Sequence, residues 1–373
     1  MAIERVRQVS SPDTHPVSRL HRSGSIPPDI SEMRAAICAR LRGSVVGMQS
    51  LAAAIANEFA EPAYRADLGT IVGARSDAEL AAWIGELCRE RVGSDVVGAR
   101  FTGKSVGAVF GLVLADGAAV VLKLFPPTFV ESELRAIERC IAELVAAGFP
   151  MPRPLGPLFQ AGAVWAAFSE LVDGRVLDAH EPAVRCTLAE MLAELARLAL
   201  DPRDLPLVAT RRTTLWAAPH RLGLDYARPG GAWIDARASA AQRIARSVAL
   251  PEIAAHSDWS TKNALFRDGR LCAILDWDSL ERASEAEMVG RAAAEFTAQW
   301  EFPAALAPTR EEATAFVREY EAARGRAFTA DERAVVNAAA DYLVAQVARQ
   351  ELGADGEYQR LLRATEDAPL IAL

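Results

Sequence analysis

Residues 256–280 read HSDWSTKNALFRDGRLCAILDWDSL, and their spacing decides what the rest of the chain can be. Asp268-Gly269 is a strong hairpin signal, because a type I′ turn needs positive φ at both central positions and this pair tolerates it. Ala264 to Phe266 and Leu271 to Leu275 are then its two short strands. A turn centred on 268 and 269 sets Asn263 opposite Ile274 and diagonal to Asp276 on the same face. Diagonal neighbours lie roughly 7–8 Å apart at the backbone.

That spacing suits a cation. A hard ion such as Mg²⁺, with oxygen ligands at about 2.0–2.1 Å, fits between Asn263 and Asp276 together with phosphate oxygens. Asp258 precedes the hairpin in a loop, where it can accept the proton of an attacking hydroxyl. These are the roles phosphoryl transfer requires, since catalysis there is mostly positioning and charge neutralisation.

The composition places few limits on this. The 373 residues suffice for two or three domains, and 51% hydrophobic with 24% charged residues is the balance of an ordinary soluble protein. The formal net charge is −8, concentrated after residue 250, where 22 acidic face 13 basic side chains. An acidic chain argues against a nucleic-acid partner and is compatible with a cationic small molecule. Cys38, Cys88, Cys140, Cys186 and Cys272 are scattered, odd in number and never in a C-x-x-C pair, which suits reduced residues of a cytoplasmic protein. The N-terminus has no apolar core of a leader, and no run approaches 18 apolar residues, so neither secretion nor membrane insertion is expected.

Residues 1–30, rich in Ser, Pro, Arg and His, are expected to be disordered. A helical extension is expected over 31–94, with Ser76 to Glu79 as a capping box. Dimer contact, lobe buttress and regulatory cap are all open roles for it. From 95 to 168 the pattern is that of a small β-rich unit. Residues 99–125 read as three antiparallel strands, with a Gly-containing turn at Thr102–Gly107 around Ser105 and a second hairpin at Asp116-Gly117. The first turn can lay backbone N–H groups over phosphates. Lys123 places one cation in a largely apolar strand, and a buried lysine is costly unless paired. The following helix, 131–147, offers Glu133 and Glu138 as partners, with Glu138 preferred. Pro150, Pro152 and Pro154 force an extended exit. A further strand then leads to a hinge near Ser169 and Leu171, an obvious place for adenine to bond. Residues 169–373 are mainly helical, and the irregular 203–231, with Arg211, Arg212, Trp216 and Arg221, reads as a lid or a surface loop.

As a set, His-x-Asp-x-x-x-x-Asn, the Ile-Leu-Asp-Trp after it, and Lys123 upstream resemble the aminoglycoside phosphotransferase-like branch of the protein-kinase-like superfamily, over about 96–350. The resemblance implies an α+β, bilobal fold with a small antiparallel N-lobe and a large helical C-lobe, here carrying a helical N-terminal extension. It implies ATP or GTP as donor with Mg²⁺, Asp258 as base, Asn263 and Asp276 as metal ligands, Lys123 on the donor phosphates, and His256 as a brace for the catalytic loop. The expected acceptor is a hydroxyl of an aminoglycoside-like antibiotic or a metabolite. Two positions depart from the family pattern: Ser257 stands where Gly is usual, and no Gly-Asp-Pro follows Asp276. A competing reading is a catalytically weak nucleotide-binding regulator acting through its N-terminal helices, with homodimerisation as one use of them.

Overall fold

The computed structural model describes residues 50–104, 107–216, 226–227, 229–299, 301–353 and 369–372. The expectations for 1–30, for the first part of the 31–94 extension, and for Ser105 and Arg221 fall outside these.

Three helices come first: α1 (Leu51–Glu58), α2 (Pro62–Val72) and α3 (Asp77–Arg91). Helix α3 starts at the capping box, where the Ser76 hydroxyl takes the Glu79 N–H and Glu79 returns a carboxylate to the Ser76 N–H. A five-stranded antiparallel sheet follows, in the order β1-β2-β3-β5-β4, from β1 (Val96–Lys104), β2 (Ala108–Leu114), β3 (Ala119–Phe125), β4 (Phe159–Ala161) and β5 (Val164–Glu170). Alternation along the strands gives the sheet two faces. Phe110, Leu112, Leu122, Leu124, Ala166 and Phe168 join Ile55, Phe59, Leu80, Ile84 and Cys88 of the first helices in one core. The N-terminal helices are thus the cover of one sheet face. Lys123 lies on the other.

Helix α4 (Glu131–Ala146) interrupts the sheet in sequence but not in packing. Its stripe of Leu134, Ile137, Cys140 and Leu144 is buried in the core of the large lobe. That core also takes α5 (Pro182–Arg197), α6 (Ala232–Ser247), α7 (Glu285–Glu295), α8 (Arg310–Arg324) and α9 (Ala330–Gly353). Two hairpin-like ribbons sit on it: β6 (Glu252–His256) pairs with β9 (Leu280–Ser284), and β7 (Ala264–Arg267) with β8 (Arg270–Ile274). The α+β, two-lobed arrangement is as expected.

The β7–β8 turn has the expected form, with φ of 51° at Asp268 and 74° at Gly269. Its register is not the expected one throughout. Arg267 pairs with Arg270 and Phe266 with Leu271, but a bulge then sets Leu265 opposite Ala273 and Ala264 opposite Ile274. The extra residue moves Asn263 into line with Leu275, whose N–H it accepts at 2.8 Å.

Candidate active site

The site is assembled on the segment from His256 to Ser279. His256 ends β6 fully buried, with the rings of Trp259 and Trp277 edge-on at 5.4 and 5.2 Å. The Leu275 carbonyl, 3.0 Å from Nε2, can only accept, so the proton is on Nε2. Nδ1 is then free to accept the Asp258 N–H at 3.3 Å. The imidazole thereby ties the loop after β6 to the end of β8. Burial lowers its pKa, against the pull of Asp258 and Asp276, so the ring is neutral. Trp259 and Trp277 are core residues that spend their N–H groups on Leu188 O and Ile274 O, at 3.1 and 2.8 Å.

Asp258 is held by the two residues that end its loop. Lys262 Nζ donates to Oδ1 at 2.7 Å, and Asn263 Nδ2 donates to Oδ2 at 3.0 Å and to the Asp258 carbonyl at 2.8 Å. Two acceptors on one amide nitrogen assign Nδ2, not Oδ1, to the Asp258 side. Burial disfavours the charged form of Lys262, but Asp258 and then Glu295 outweigh it and raise its pKa. Arg291 of α7 braces the loop from below, donating through Nε and Nη2 to Ser257 O at 3.3 and 3.0 Å.

Asp276 follows β8 with φ of 63°, a left-handed conformation that Asp enters more readily than most residues. Its Oδ1 takes Lys123 Nζ at 2.7 Å, and Lys123 also donates to Asp278. Burial alone would raise the Asp276 carboxyl, but Lys123 holds it well below the usual carboxylate range. Asp278, buried and beside that charge, is raised. A strand of the small lobe and a turn of the large lobe therefore meet through one ammonium.

The partner expected for Lys123 is not the one found. Glu138 accepts the Leu158 N–H at 2.7 Å and Arg135 at 2.9 Å, and among the described residues neither Glu138 nor Glu133 pairs with Lys123. The reason is the burial of the α4 stripe against the large lobe, which turns Glu138 toward the strand exit. The hinge expectation is changed too. Ser169 lies in β5 opposite Val121, and Leu171 already gives its N–H to Ala119 O at 3.2 Å, so that group is not offered to a ligand. At the glycine-containing turn, a methyl on Gly107 would stand 2.2 Å from Leu124 O, which explains glycine there. Arg211 and Arg212 are not lid residues: they bind Glu287 and Glu281, and Trp216 gives its N–H to Asp235.

A model of the family described as "Phosphotransferase enzyme family" matches residues 108–327, more than half of the chain. The chain belongs to this phosphotransferase family. It is a phosphotransferase. No curated protein matches it in sequence. Among solved structures it is similar to spectinomycin phosphotransferase APH(9)-Ia in complex with ADP and spectinomycin, at 12% identity and a TM-score of 0.51, covering 77% of this chain and 89% of that one. It is also similar to a thermostable mutant of aminoglycoside phosphotransferase APH(4)-Ia in its apo form, at 17% identity and 0.50, covering 75% and 95%. These likenesses establish a kinase-like fold.

The residues of this phosphotransferase fit a magnesium ion. Asn263 makes both of its side-chain bonds through Nδ2, which leaves Oδ1 outside them, and Asp276 and Asp278 add hard carboxylate oxygens, while no cluster of three or more His, Cys, Asp or Glu able to hold a metal occurs among the described residues. Such a donor set leaves positions for phosphate oxygens and water, as Mg²⁺ sites do. Two groups of the phosphotransferase escaped the sequence reading. Arg291 and Glu295 lie on α7, where their proximity to the loop depends on tertiary packing. Burial, then Asp258, pushes the Glu295 carboxyl up to about 8, and its Oε1 is buried without a hydrogen-bond partner. A lone glutamate after Ala292-Ala293-Ala294 was the available signal.

Proposed function

We propose that the chain transfers the γ-phosphate of ATP or GTP to a hydroxyl group of an aminoglycoside-like antibiotic or a hydroxylated metabolite. The observation that carries this is the pairing of Lys123 with Asp276 beside the Asn263–Asp258 pair, three of these residues within 20 positions and the fourth brought from the other lobe. Asp258 orients the acceptor and takes its proton, while Asn263 holds the Asp258 carboxylate in place. Lys123 anchors the donor phosphates, moving from the aspartates to the incoming anion. Mg²⁺, when bound at Asn263 and Asp276, supplies charge neutralisation on the phosphates. His256 keeps the loop in register with the β8 end. The presence of all four groups disfavours a regulator without catalysis.

The acceptor class is open to direct assay. Coupled nucleotide turnover is measured with ATP and GTP against aminoglycosides, spectinomycin, amino alcohols and sugars, with and without EDTA. Turnover with at least one hydroxylated acceptor, abolished by EDTA and restored by added Mg²⁺, is the expected result. Absence of nucleotide binding in the presence of Mg²⁺ would remove the proposal.

A further inference from the structure

Lys262 sits on the carboxylate of Asp258 without a part in the proposed reaction so far. A solvated lysine would be the default for a charged residue in a loop. Instead its side chain is 25% exposed, and its ammonium sits 2.7 Å from Asp258 Oδ1. The backbone beneath is clamped: the Lys262 N–H goes to Ala298 O at 3.1 Å and the Thr261 N–H to Phe296 O at 2.9 Å. The short helical turn Thr261–Asn263 therefore presents Lys262 and Asn263 together, both on the same carboxylate. An ammonium has three N–H donors. Among the described residues, Asp258 is the single hydrogen-bond partner of Nζ, and no ion pair joins Lys262 to the nearby Glu295.

We propose that Lys262 is a further catalytic residue, contacting the transferred phosphoryl group through the N–H donors that Asp258 does not use. This rests on Asp258 being the base. The acceptor hydroxyl bound at Asp258 is the atom that bonds to phosphorus, so the non-bridging phosphoryl oxygens pass within reach of any cation already seated on that carboxylate. As the new O–P bond forms, the hydroxyl proton moves to Asp258. The bond between phosphorus and the leaving nucleoside diphosphate breaks, with its electron pair going to the diphosphate. Asp258 loses its charge in that step and the phosphoryl oxygens keep theirs, so the ammonium is drawn from the one to the other. The interaction strengthens as the reaction proceeds, which is the condition for catalysis.

A test that needs no identified acceptor uses the wild type and the variants Lys262→Met, Lys262→Gln and Lys262→Arg, titrated calorimetrically with Mg·ADP alone and with Mg·ADP plus aluminium fluoride, which mimics the phosphoryl group in flight. Fluoride is expected to tighten Mg·ADP binding by the wild type. Lys262→Met and Lys262→Gln are expected to bind Mg·ADP unchanged within about twofold and to lose roughly 10- to 100-fold of the fluoride-dependent gain, the scale of a charge-assisted hydrogen bond. Lys262→Arg is expected to keep part of it. A wild type without the gain, or neutral variants that keep it in full, would overturn the assignment. Failure of the wild type to bind Mg·ADP would instead count against the kinase reading on which it rests.

Discussion

Neutrality at His256 is set by its surroundings: the Leu275 carbonyl accepts from Nε2–H and the Asp258 N–H needs the Nδ1 lone pair, in a site almost closed to solvent. Its folded pKa lies below the ordinary value, so the unfolded chain binds the extra proton first as pH falls. Stability from this residue is complete above about pH 6.5 and declines as pH drops below it. His256→Leu should leave the Asp258 N–H and Leu275 carbonyl without this partner and cost about 1–3 kcal/mol at pH 7. Urea titrations at pH 7 and pH 5 check both parts: the gap between wild type and variant is expected to narrow at pH 5. A gap that widened would mean that the imidazole is charged in the fold. At this scale the sequence was most informative. The positions of His256, Asp258, Asn263 and Asp276 could be read from spacing because one loop and one hairpin carry them. The partner of Lys123 could not, because it lies 153 residues away and is chosen by how two lobes meet.

Among the elements, the β7–β8 hairpin shows where a pattern argument stops. Its turn type followed from Asp-Gly, but the bulge near Leu265 is not encoded by any local composition and shifts the pairing of Asn263 by one residue. Helix α4 is similar: periodicity located it, yet its apolar stripe can be buried against sheet or helices alike, and the choice of the helical lobe decides where Glu138 points. Helix α7 matters for the site because it carries Arg291 and Glu295, and its crossing with α9 is set by Gly290. A methyl there would lie 2.1 Å from Val336 O. Gly290→Ala should therefore destabilise by roughly 1–3 kcal/mol, despite the better helix propensity of alanine. Denaturant unfolding measures it, and a variant as stable as the wild type would show that the two helices can separate freely.

In the whole molecule there are two cores, one of sheet and N-terminal helices and one of the remaining helices. Lys123 spans them through Asp276 and Asp278. The acidity of the last third, which in sequence suggests a cationic acceptor, is largely taken up internally: Glu281, Glu285, Glu287, Glu319 and Glu332 each pair with an arginine. Arg211 and Arg212 are neutralised by the same pairs. Net charge is thus a poor guide to the acceptor, because charges that look free in sequence are spent on internal pairs in the fold. No helix among the described residues is long and apolar enough to cross a membrane. The proposed reaction moves a phosphoryl group to an alcohol, and ³¹P NMR observes that step. With Mg·ATP and an acceptor found by turnover, the γ-phosphate signal should be replaced by a phosphomonoester in step with ADP. Asp258→Ala should slow this by roughly 10²- to 10⁴-fold while binding Mg·ATP normally. A phosphomonoester forming at the wild-type rate in Asp258→Ala, or inorganic phosphate in place of the ester, would contradict the account.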